Sequence, residues 1–120
     1  MGKRLYARSK ENQQKLAVKS IDDVNLVDVD DIIWIGTSGD DLELHCENKM
    51  WLYRDTFVKL ESQLDPAKFV RVHGRTMVNI KKVSSLRCEL GEFSSLCLCN
   101  GDELKIDQRN RSPLFECLGL

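Results

Sequence analysis

From Phe69 to Asn79 the chain alternates apolar with polar residues, breaks into a short basic loop and returns to apolar residues. Val70 and Val72 alternate with Arg71 and His73, the period of two expected of a half-buried strand. His73-Gly74-Arg75-Thr76 then brings a ring donor, flexible backbone amides, a guanidinium and a hydroxyl into four residues. Such a segment demands a fold in which strands deliver polar turns to a surface. No recognisable catalytic grouping accompanies it, so the loop suits contact with a polar, anionic surface.

Most of the chain keeps the same period. Leu16 and Val18 alternate with polar neighbours, Val24 to Val29 and Ile32 to Thr37 read as strands, and Ser38-Gly39-Asp40-Asp41 is a turn signal. Leu42, Leu44 and Cys46 alternate with Glu43 and His45, which assigns His45 to the surface. Glu47-Asn48-Lys49 turns the chain into a strand over Met50 to Arg54. After Asp55 the period changes, and Phe57, Leu60 and Leu64 share one helical face. Asp55 or Thr56 can cap this helix, and Pro66 stops it by disfavouring the helical conformation at Asp65. The expected fold is mainly β, an elongated small multi-sheet domain of about nine strands with one short helix near residues 55–64.

The Asn100-Gly101 hairpin has a preferred register. A two-residue turn would mix its apolar faces. A three-residue loop, Cys99-Asn100-Gly101, pairs Leu96 with Leu104 and Leu98 with Asp102, and gives Gly101 the left-handed position of a bulge.

A chain of 120 residues with 42% apolar content fits one globular domain. No apolar run approaches the roughly 20 residues of a membrane span, and residues 1–19 lack the apolar core of a signal peptide. The expectation is a cytoplasmic protein without membrane contact, residues 1–14 forming a linker or N-terminal extension and 15–120 the domain. The five cysteines, an odd number without a C-x-x-C pair, read as reduced thiols, not as a disulfide framework or zinc site. Cys97 and Cys99, two apart in a strand, pack as small residues on one face, or act as a thiol sensor.

The net charge of −1 hides a segregation. Residues 1–20 carry six basic groups and one acid, 21–65 three and twelve, and 66–111 nine and five. The second half is therefore basic while the middle is acidic, as suits one anion-facing surface. Catalysis is disfavoured. The two histidines, His45 and His73, have no carboxylate or nucleophile at a recognisable spacing. The doublets Asp22-Asp23, Asp30-Asp31 and Asp40-Asp41 lack the ligand spacing of a calcium loop, and no phosphate-binding glycine loop occurs. No cofactor is expected.

The run from Phe69 to Asn79 resembles the F-x-R-h-H-R-S-x-x-V-N signature (h, apolar) of the LytTR family, the all-β DNA-binding domain of many bacterial response regulators. Three further blocks agree in order: Leu26 to Ile35 with the strand before the family's first contacting loop, Leu52 to Leu60 with Leu64-Asp65-Pro66 with its helix, and Asn100 to Arg109 with its terminal hairpin and last loop. The resemblance covers roughly Lys15 to Leu118. It implies sequence-specific binding of double-stranded DNA in bacterial transcription regulation, with contacts from Ser38, Gly39 and Asp40, from His73, Gly74, Arg75 and Thr76, and from Gln108, Arg109, Asn110 and Arg111. Arg109 aligns with an arginine that the family directs at a base edge, where a guanidinium can donate twice to guanine. Lys81, Lys82 and Arg111 would neutralise phosphates nearby. The implied partners are repeated promoter sites, bound by a dimer formed on DNA, and an upstream receiver domain or sensor protein.

Departures from the signature sharpen the expectation. Asp41 stands where the first loop has an aromatic, His-Arg-Ser has become His73-Gly74-Arg75, and Ser-Arg-Arg has become Asp107-Gln108-Arg109. Two new carboxylates would face phosphates, and two arginine positions have lost their charge. Either the sequence preference is altered or DNA binding is weakened. In the second case the domain would be a protein-interaction or regulatory module that keeps the fold.

Overall fold

The computed structural model describes residues 14–120. The expected extension, 1–14, lies outside these except for Gln14. The first hairpin pairs β1 (Lys15–Lys19) with β2 (Val24–Asp28). A five-stranded antiparallel sheet follows, from β3 (Ile32–Ser38), β4 (Asp41–Cys46), β5 (Met50–Tyr53), β6 (Phe69–His73) and β7 (Thr76–Asn79), in the order β5-β4-β3-β7-β6. The third sheet orders β10 (Glu103–Lys105), β9 (Glu92–Leu98) and β8 (Val83–Glu89). The molecule is elongated, 53 × 35 × 22 Å.

The five-stranded sheet is covered on both faces, which divides the interior in two. One core joins Leu16, Val18 and Val27 of the first hairpin to Ile35, Leu42 and Leu44, to Phe57 and Leu60 of α1 (Phe57–Gln63), and to Leu64 just after it. The other packs Ile33, Val70, Val72 and Val78 against Leu96, Leu98, Ile106 and Leu114. A bulge between Ile32 and Trp34 serves both: Ile32 and Ile35 enter the first core, Ile33 and Trp34 the second.

Helix α1 begins where the sequence indicates. Thr56 accepts from the Lys59 amide at 3.2 Å, and the helix ends before Pro66. Arg71 ties β6 to it through two bonds to Glu61, at 2.7 and 3.3 Å, and its guanidinium lies over the Phe57 ring. The chain also closes on a second helix, α2 (Arg111–Leu118), where the sequence pattern predicts only one helix, near residues 55–64. Pro113 falls in its first turn, where a missing N–H costs nothing, and Gly119 ends it in the left-handed conformation. Leu114, Phe115 and Leu118 turn its apolar side to the second core.

The terminal hairpin adopts the three-residue loop, with Leu96 opposite Leu104 and Gly101 at φ 95°. His45 departs from expectation. It stacks on Trp34 with centroids 3.8 Å apart and planes 4° from parallel, and shares a 2.9 Å hydrogen bond with Glu43. The face opposite Leu44 is therefore occupied, because the third sheet reaches over it. The Trp34 indole N–H donates to Asp102 of the terminal hairpin at 2.9 Å, locking the two sheets together. Gly36 leaves room for this ring, since a Cβ there would lie 2.8 Å from it.

Candidate nucleic-acid interface

Two of the expected loops share an end of the five-stranded sheet by its register. β3 and β7 are antiparallel, with Ile35 opposite Met77, so the end of β3 meets the start of β7. The β3–β4 turn, Gly39-Asp40, therefore sits beside the β6–β7 turn, Gly74-Arg75. The third loop is fastened to the same end, where the Asp107 amide donates to Val72 O at 2.6 Å. Ser38, Gly39, Asp40, His73, Gly74, Arg75, Thr76 and Gln108 to Arg111 are thus gathered on one edge.

The charges there fall into two kinds. His73, Arg75 and Arg109 are exposed, and no ion pair or side-chain hydrogen bond holds them among the described residues. Arg111 is different: its side chain is 24% exposed and Nη1 lies 3.1 Å from Glu92. It closes onto β9 and offers less to a phosphate than the sequence suggests. The two carboxylates expected to face phosphates each have a neighbour within the protein, an exposed arginine for Asp41 and an amide of its own loop for Asp107. Asp41 lies 3.4 Å from Arg54, and Asp107 caps the 3₁₀ turn Gln108–Asn110 by accepting from the Arg109 amide at 3.5 Å. Serine caps such a turn equally well, so aspartate at 107 keeps the loop's geometry. Gly74 takes φ 46°, which arginine would adopt only with strain. Its arginine has moved to Arg75, outside the left-handed region.

Lys81 and Lys82 do not join this edge. They lie in the 3₁₀ turn Ile80–Lys82, after β7 has run to the other end of the sheet, roughly 13 Å from the β6–β7 turn at strand rise. Their turn is capped by Asn79, whose carbonyl accepts from the Lys81 amide at 3.1 Å. The Asn79 amide group donates to Ile32 O at 2.9 Å. This asparagine, 2% exposed, holds β7 to β3 beside the bulge, so the last letter of the signature is structural. The five cysteines are free thiols. Cys46 has its thiol pKa raised by burial and by Asp31, with Lys82 opposing. Cys97 is half-buried in β9, whereas Cys99 lies beyond the strand in the exposed turn. No group of three histidine, cysteine or acidic residues among those described is placed to hold a metal ion.

The profile described as LytTr DNA-binding domain matches residues 22–119. The chain belongs to the LytTR family. It is 25% identical over 106 residues to the sensory transduction protein LytT of Bacillus subtilis (strain 168), which covers 88% of this chain and 44% of that protein. To the transcriptional regulatory protein LytR of Staphylococcus aureus (strain MW2) it is 23% identical over 107 residues, covering 89% and 44%. The chain thus spans less than half the length of these relatives. A solved LytTr DNA-binding domain from Bacillus cereus superposes with a TM-score of 0.77 at 17% identity, over 91% of this chain and all of that one. At that identity it speaks for the fold. The three-sheet β architecture is that of the family.

Proposed function

We propose that this LytTR domain binds double-stranded DNA sequence-specifically in bacterial transcription regulation, through the edge formed by Ser38–Asp41, His73–Thr76 and Asp107–Arg111. The observation that carries this is the convergence of the three loops, with Arg75 and Arg109 exposed and unpaired among the described residues. Arg109 reads a base edge, His73 and Arg75 serve the second loop, and Gln108 and Asn110 add amide donors and acceptors. Arg111 holds the third loop in place. One domain of this size buries too little surface for tight binding alone, so two copies occupy repeated sites and pair on the DNA. The setting is the cytoplasm, with an upstream receiver domain or sensor protein supplying the signal. Among the described residues no helix is long and apolar enough to cross a membrane.

Selection of bound duplexes from a random pool, followed by anisotropy titration at several salt concentrations, tests this reading. The expected result is a repeated motif whose affinity falls steeply with salt, by roughly 0.9 in log K per phosphate neutralised for each unit of log salt. No enrichment from a folded, concentrated sample overturns it.

A further inference from the structure

The β8–β9 turn lies at the same end of the molecule as the three loops. The Ile106 amide donates to Ser94 O at 2.9 Å, and the next residue, Asp107, donates to Val72 O. Arg111 then pairs with Glu92. These bonds set the start of β9, the end of β6 and the third loop side by side. From Ser94 the hairpin continues for two residues, roughly 7 Å, before Leu90-Gly91 reverses it.

Leu90 is unusual in two independent ways. It is fully exposed, at 103%, so the fold gains no burial from its side chain. It also takes φ 52°, the only non-glycine residue among those described with positive φ. Glu89 pairs with Glu92, and Gly91 has φ 82°, so both central residues of this two-residue turn are left-handed. Asn-Gly or Gly-Gly makes that turn without strain, whereas leucine does not. Nothing among the described residues repays leucine at this tip. The base of the hairpin is stiff, because Phe93 packs edge-on against Phe115 of α2 with centroids 5.7 Å apart.

We propose that Leu90 is a fourth contact of the DNA-binding edge, an apolar finger that meets the duplex beside the third loop. This rests on the DNA-binding reading and deepens it. The chemistry sought is apolar groove surface, either a thymine methyl or the face of a deoxyribose. Phosphate is not the target, since carboxylates flank the tip. Both have partners within the protein: Glu92 pairs with Arg111, and Glu89 accepts from the Ser94 hydroxyl at 2.8 Å.

Leu90→Asn tests the proposal, because asparagine tolerates positive φ and spares the fold. The expected variant melts at or above the parent temperature yet binds the selected duplex roughly tenfold more weakly, losing preference at the positions flanking the third loop's site. Replacing thymine by uracil at those positions separates the two targets. If the parent weakens and the variant does not, the methyl is the contact; if neither responds while the variant stays weak, it is the sugar. Parent-like affinity and site preference in Leu90→Asn overturn the proposal while the DNA reading stands. A parent protein that selects no duplex overturns both.

Discussion

The two ends of the five-stranded sheet both carry cations without an ion partner among the described residues, and differ in what surrounds those cations. At one end Arg75 and Arg109 project from tight turns, the second capped by Asp107, with no ion pair or side-chain hydrogen bond among the described residues. At the other, Lys81 and Lys82 ride on a turn capped by the buried Asn79, whose task is to hold two strands together. The difference teaches that positive charge by itself does not mark an interface. The proposed interface lies where such cations sit on converging turns, and Lys81 and Lys82 share their end with none of the three loops. Arg71 makes the same point within the signature, because its guanidinium is spent on Glu61 and Phe57.

Asn79→Ala gives the largest expected effect and falls on stability. It orphans Ile32 O, uncaps the following turn and leaves a gap, which together cost about 2–4 kcal/mol. Urea unfolding reads that loss directly. DNA affinity of the folded variant should stay near the parent's; a selective loss of affinity with unchanged stability would erase the distinction between the two ends.

Arg109→Ala is the converse. Its side chain is exposed and makes no ion pair or hydrogen bond among the described residues, so stability should hold while affinity for the selected site drops by roughly 1–3 kcal/mol. Lys81→Ala with Lys82→Ala should move affinity by no more than about twofold, since roughly 13 Å of strand separates them from the β6–β7 turn and the screening length is about 8–10 Å. Equal losses in the two titrations would mean that DNA contacts both ends, and the comparison would break.

How much of this was legible in the sequence depends on what kind of fact was asked for. The strands, the capped helix before Pro66 and the register of the Asn100-Gly101 hairpin follow from local rules, and each forms as those rules indicate. His45 does not, because alternation says which residues share a face but not what covers it. The cover over His45 comes from Trp34 beside it and from Asp102, far along the chain. Lys81 and Lys82 lie apart from the three loops for a related reason. They follow the signature closely in sequence, yet four residues of strand carry them to the other end. Helix α2 has local signals of its own, Pro113 in its first turn, the Leu114, Phe115 and Leu118 spacing and Gly119 at its end, which a period of two does not register. The neighbours of Asp41 and Asp107 were not legible, since they depend on tertiary placement or on the loop's own turn.

The sheet-to-sheet lock gives a smaller effect, seen in acid. The indole N–H of Trp34 holds the Asp102 carboxyl below its ordinary value of 3.8; burial opposes this, and Asn100 and His45 assist. A carboxyl depressed in the folded protein adds stability above its unfolded value and loses it as pH falls through the folded one. Denaturant titrations from pH 5 downward should therefore show a loss in the parent that is reduced in Asp102→Asn. Trp34→Phe removes the main cause of the depression and should flatten the same limb. An identical acid limb in all three would mean that the indole bond contributes nothing to folding.

Gln108→Arg should have the smallest effect and is aimed at the interface itself. Gln108 is exposed and opens the 3₁₀ turn that Asp107 caps, next to Arg109. An arginine here keeps the turn, because position 108 carries no cap and its side chain has no partner among the described residues. It restores a cation that the family's pattern has in this loop. If the edge faces phosphate, affinity should rise and the salt slope steepen by about one phosphate's worth. The same substitution leaves the Lys81–Lys82 end untouched, so any gain belongs to the loop edge. An unchanged slope would move residue 108 off the phosphate path, leaving Arg75 and Arg109 as the cations that meet the duplex there.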